Sequence, residues 1–232
     1  MQHVLGTFLL LLQEAGDSDG VVNFLVTKFN EGGGFMWPIL ACLVLGIAFV
    51  IFKFISLARS STNTKKFIVE VKKALDEGGV DKALEVCSNN SGSVASVFQA
   101  GLMRTEEGID AAEKAIISYG SIEMSFLERG MIWISTFISI APLLGFAGTV
   151  AGMIQAFDSI AAAKNISPEI VATGISVALL TTLFGLIVAM ILQVFYNFFI
   201  SRIDKLVVDM EESSIELVDS LVMLERGKKV SK

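Results

Sequence analysis

The chain has 232 residues, 53% of them hydrophobic, with a formal charge of −6 and a mean hydropathy of +0.67. That apolar share is too high for an ordinary soluble domain, and the charge gives no nucleic-acid signal. One histidine, His3, and two cysteines rule out a histidine-based metal site or triad and a disulfide framework.

The apolar residues gather in three blocks, each longer than the roughly 20 residues that cross a hydrocarbon core. The fold class expected is therefore an all-α integral membrane protein with three transmembrane helices and long helical extensions. Residues 1–34 precede the first block. Residues 4–12 are apolar, but no basic stretch comes before them and no small-residue cleavage site after, which argues against a cleaved signal peptide. Val21, Val22, Leu25, Val26 and Phe29 recur at helical spacing behind Asp19, a suitable N-cap. They predict an amphipathic helix over 19–30 on the outer membrane face, ended by Gly32, Gly33 and Gly34.

Residues 35–57 are the first span, opened by Trp37 and Pro38. Lys53, near its far end, is expected to snorkel to the interface. Cys42 in this span and Cys87 beyond it read as free thiols. Arg59, Lys65, Lys66, Lys72 and Lys73 then follow closely, whereas Lys28 is the one Lys or Arg before the span. The bias places the N-terminus outside and the region after the span in the cytoplasm.

Residues 58–130 form a cytoplasmic helical region, too long for a bare connection. It predicts a helix over 65–75 stopped by Gly78 and Gly79, a second from Asp81 to Cys87, and a third over 93–104. From Asp110 no proline interrupts the pattern until Pro142, which predicts one long helix entering the membrane. The second span covers 131–157, an outer hairpin 158–169 carries Asp158 and Glu169, and the third span covers 170–201. A cytoplasmic C-terminal helix, 202–232, repeats Ile203, Val207, Met210, Ser214, Leu217, Leu221 and Leu224 at spacings of three and four. That seam fits either a bundle between chains or packing on the chain's own helices.

Gly145, Gly148 and Gly152, with Ala141 and Ala156, make a small-residue stripe on the second span. Gly174 and Gly185, with Ala178 and Ala189, make another on the third. Such stripes serve close helix approach in lipid. Thr149, Thr181 and Thr182 lie deep beside them. A threonine there either bonds back to the carbonyl one turn earlier or presents its hydroxyl to a hydrated path. No Asp, Glu, Lys, Arg or His lies deep in any span, although proton relays use an intramembrane ionisable group. If protons cross, a partner has to supply the carboxylate. No nucleophile–base pair or metal-ligand cluster stands out, so an enzyme is not expected, nor is a cofactor.

Residues 141–154, APLLGFAGTVAGMI, resemble the ExbB/TolQ/MotA proton-channel family, as do residues 174–182, GISVALLTT, with Gly185, Leu186, Tyr196 and Asn197 following. The resemblance covers about residues 35–205 and points to ExbB. It implies a homo-oligomeric ring, a pentamer, in the bacterial inner membrane with a periplasmic N-terminus. The ring would enclose an ExbD-like single-span protein that supplies an aspartate, and would drive outer-membrane transport through a TonB-like protein. Thr149 and Thr182 match the family's pore-facing threonines, with Thr181 adjacent. Val177 stands where the family often has Glu, and Ile191 where it often has Pro, which weakens any relay through 177 and implies a straighter helix. A TolQ-type role in envelope constriction and a non-conducting scaffold are the alternatives; a MotA-type stator normally has a fourth span.

Overall fold

The computed structural model describes residues 18–60, 64–90, 92–163 and 168–230. The apolar run 4–12 and His3 lie outside these residues. Among them, all regular structure is helical: α1 (Ser18–Glu31), α2 (Met36–Ser60), α3 (Thr64–Ser88), α4 (Ser93–Leu102), a 3₁₀ turn (Thr105–Glu107), α5 (Ile109–Glu128), α6 (Met131–Ala163) and α7 (Pro168–Val230). Three stretches are long and apolar enough to cross a membrane: Met36–Ala58, Ile109–Ala162 and Val171–Gly227. The third span and the C-terminal extension are one uninterrupted helix, α7.

The chain divides into two compact units, one of Met1–Ala48 with Trp133–Val194, the other of Phe49–Ile132 with Phe195–Lys232. In the first unit, α1 ends where the Gly32 N–H donates to the Lys28 carbonyl at 3.0 Å and Gly33 takes φ 72°, a turn few other residues adopt. The chain then doubles into α2, and Phe29 meets Trp37 edge to face at 5.5 Å. Gly46 admits the Leu192 side chain, whose Cδ1 lies 2.6 Å from where a Cβ would sit.

The second unit has a conventional apolar core. Phe67, Val71 and Leu75 of α3, Val97, Phe98 and Leu102 of α4, Ile116 of α5, and Leu217 and Leu221 of α7 are buried together. Met210 and Leu224 join them, so the α7 seam packs on the chain's own helices. Cys87 sits in this core, and burial pushes its thiol up to about 12. The expected stop at Gly78 and Gly79 is present: Gly79 takes φ 71° and ψ −160°, outside the helical region, so α3 is two helices that meet at a kink there. On the surface, Lys72 pairs with Glu216 at 2.7 Å, and Lys82 holds the Glu77 carboxyl below the usual range, mainly through its hydrogen bond.

Two expectations are corrected here. No single helix runs from Asp110 into the membrane: α5 stops at Glu128, Arg129 turns to φ −55°, ψ 130°, and Gly130 takes φ 88°. A proline-free pattern hides this break, because a glycine inside it reads only as a weak helix former. Lys53 does not snorkel outward either. It is 1% exposed, and its ammonium donates to the Leu127 carbonyl and, at 3.0 Å, to that of Arg129. The lysine satisfies carbonyls that the end of α5 leaves without helical partners.

Candidate functional site

The site grows out of the antiparallel contact between α6 and α7 in the first unit. A Cβ added to Gly185 would lie 2.6 Å from the Ala141 carbonyl oxygen. One added to Gly145 would lie 2.9 Å from the Thr181 carbonyl oxygen and 3.0 Å from the Thr182 Cα. Gly148 faces the Thr181 side chain, Gly152 meets Ala178 at 3.2 Å, and Gly174 is filled by Ala156. All five stripe glycines are thus used within one chain, Gly145 and Gly185 against the backbone of the facing helix and the others mainly against small side chains. The two stripes meet each other within the chain, which is the close helix approach that small residues serve in lipid.

That approach exposes one carbonyl to three hydroxyls. Thr149 Oγ1 and Thr182 Oγ1 lie 2.9 Å apart, and each lies 3.2 Å from the Gly145 carbonyl oxygen. A side chain at 145 would force α7 away and break the triangle. Thr149 therefore does bond back one turn, as a membrane threonine commonly does, and also reaches across to the other helix. Thr181 behaves differently. It is 1% exposed, wedged against Gly148, and donates to the Ala178 carbonyl at 2.8 Å, with the Gly145 oxygen at 3.3 Å. Thr149 and Thr182 are only partly buried.

Around this polar spot the hairpin is apolar. Leu143, Phe146, Leu179, Met190 and Val194 are exposed, which suits lipid rather than water. The spans 131–157 and 170–201 contain no charged side chain. Among the described residues no group of three or more His, Cys, Asp or Glu converges to hold a metal. The position where the resemblance anticipates a glutamate holds Val177, whose Cγ1 lies 3.8 Å from where a Cβ on Gly33 would sit. The feature that sequence reading missed is the Gly145 carbonyl; a glycine one turn before a threonine, facing a second small-residue helix, is the signal that marks it.

A chain of long helices with three candidate spans, and hydroxyls gathered inside an uncharged hairpin, defines an all-α membrane protein. The chain belongs to the MotA/TolQ/ExbB proton channel family, whose sequence model matches residues 89–212. It is 32% identical over 211 residues to a biopolymer transport protein ExbB homologue of Methanothermobacter thermautotrophicus, covering 88% of this chain and 72% of that one. It is 37% identical over 78 residues to biopolymer transport protein ExbB of Salmonella typhimurium, covering 34% of this chain and 32% of that one. It is also 36% identical over 75 residues to Tol-Pal system protein TolQ of Haemophilus influenzae, covering 32% and 33%.

Proposed function

We propose that this chain is the ring-forming, proton-conducting subunit of a motor in the bacterial inner membrane, with its N-terminus in the periplasm and its C-terminus in the cytoplasm. It acts as a homo-oligomer, pentameric as the family resemblance implies, around an ExbD-like single-span partner. The partner's aspartate carries the proton, and a TonB-like protein passes the work to outer-membrane transport. The observation that carries this reading is the Thr149–Thr182 hydroxyl pair in a hairpin with no charge of its own. A carboxylate is costly in such surroundings, and hydroxyl donors offset that cost. In the same reading, α1 lies on the outer membrane face through Phe24, Leu25 and Val26, all exposed.

Thr182→Val tests it, because valine keeps the shape and removes the hydroxyl. Energy-dependent uptake in cells should fall while the complex still assembles; normal uptake with normal assembly sinks the role. The likeness to TolQ supports a second reading, in which the same proton current energises envelope constriction. A null strain separates the two: lost uptake with normal division favours the ExbB-type role, and the reverse favours TolQ. Orientation is read by labelling. A cysteine placed at Ser18 should react with a periplasmic reagent and one at Ser91 should not, while the native Cys42 and Cys87 are buried.

A further inference from the structure

In the second unit, α5 and the C-terminal part of α7 leave a groove of about 590 Å³ between them. The α5 wall runs from Glu113 to Met124 and the α7 wall from Val207 to Asp219, each one face of its helix. At about 1.5 Å per residue the groove is roughly 17 Å long, about three helical turns. Ile116 and Met210 lie at its base, both 4% exposed, while Ile117, Ile215 and Met124 stand open at its edges. Gly120 keeps the middle of the α5 wall low: a Cβ there would touch only the Met210 Cε, at 3.8 Å. Ser121 and Ser214 spend their hydroxyl protons on the Ile117 and Met210 carbonyls, at 3.2 and 2.7 Å. The charged groups left are the carboxylates of Glu113, Glu211 and Asp219. No basic residue lines the groove, and none of the three has an ion-pair partner among the described residues.

We infer that the α5–α7 groove docks an amphipathic helix of a partner protein, about three turns long, with an apolar face and Lys or Arg along its edges. The apolar face covers Ile117, Ile215 and Met124, and removing them from water drives the contact. Met124 and Met210, one on each wall, adapt to side chains of differing shape. The unpaired carboxylates select a cationic edge and turn away phosphate, whether of a lipid headgroup or a nucleic acid. A second copy of this chain fits poorly, because each copy carries a formal charge of −6. In α3, where lysines cluster, Val69 is the one exposed large apolar side chain among the described residues. Lys72, Lys73 and Lys82 of that helix are already paired with Glu216 and Glu77. The inference stands apart from proton conduction, since no residue of the hydroxyl triangle lines the groove.

The test uses the full chain in phosphatidylcholine nanodiscs. The probe is a fluorescein-labelled peptide of leucine and lysine, patterned as an amphipathic helix and about twelve residues long to match the groove. Fluorescence anisotropy should show saturable binding to loaded nanodiscs and none to empty ones; equal binding to both overturns the site. The same peptide with glutamate in place of lysine should not bind. Glu113→Lys, Glu211→Lys and Asp219→Lys together should weaken binding roughly tenfold or more, the combined worth of three exposed ion pairs. Gly120→Phe fills the groove and keeps every charge, so binding should be lost while the melting temperature holds. Unchanged affinity in either variant overturns the inference. The three acidic residues are exposed, so their reversal spares the core and decides the matter if Gly120→Phe unfolds the chain. A photo-crosslinker at Ile215 that joins two copies of the chain with no peptide present shows the groove filled by a second copy, which overturns the partner site.

Discussion

The two units bury opposite things. In the α6–α7 hairpin the contact is made where side chains are missing: Gly145, Gly148, Gly152, Gly174 and Gly185 let one backbone lie against the other. In the unit built from α3, α4, α5 and the C-terminal part of α7, the contact is made by bulk, with Phe98, Leu102, Val71 and Leu217 nearly inaccessible. The solvent explains the difference. Removing a phenylalanine ring from water is strongly favourable, but moving it from lipid to a protein interior gains little. A membrane contact is therefore stabilised by close approach and by polar groups that meet there, and the hydroxyl triangle is such a meeting.

The contrast can be broken by substitution. Phe98→Ala should have the largest effect, costing about 3–5 kcal/mol because the ring is fully buried against Phe67 at 5.7 Å and its cavity cannot refill. Thermal melting in detergent reads it. Raising the pH attacks the same core through Cys87. Its thiol is pushed from an ordinary 9.0 to about 12, so the folded chain holds the proton that the unfolded chain gives up. Stability should be intact below pH 9 and fall as the pH climbs towards 12. A melting temperature flat from pH 8 to 11 would count against that burial.

Gly185→Ala comes next, at about 1–3 kcal/mol, since the added methyl meets the Ala141 carbonyl, a backbone atom that cannot move aside. Lys53→Met should cost about 1–2 kcal/mol by leaving the Leu127 and Arg129 carbonyls without their donor. Lys53→Arg should restore part of it. Amide exchange at residues 129–132 reports the change locally. Gly120→Ala is the smallest and has the opposite sign. Its new methyl finds only the Met210 Cε at 3.8 Å, and alanine favours the helix by about 0.5–1 kcal/mol. If the alanines at 185 and 120 shift stability the same way, the distinction between the two units fails.

The spans were legible because hydropathy is a matter of composition, and no packing detail is needed to find a 23-residue stretch of that mean hydropathy. The threonines were legible as positions, since a stripe and its polar neighbours follow from helical spacing. Their joint use of the Gly145 carbonyl was not, because a backbone acceptor has no letter in the sequence. The same reason hides Lys53, whose partners are two carbonyls more than 70 positions away. The glycine stripes were legible as small faces, and the structure sets them against each other within one chain. Spacing on one helix does not say whose helix lies opposite. The break at Arg129 and Gly130 escaped because a glycine bends a helix only when its surroundings use that freedom.

Lys53 also has a history during synthesis. Its first partner, the Leu127 carbonyl, lies 74 residues later in the chain. At roughly 5–20 residues per second a ribosome needs roughly 4–15 s to reach it. Through that interval the ammonium has no folded place, and its hydration keeps the end of the first span at the membrane surface. Only when α5 has been made can the charge turn inward and close the helix end. One side chain thus works twice, first as a stop for the nascent span and later as a fastening for a helix that did not yet exist.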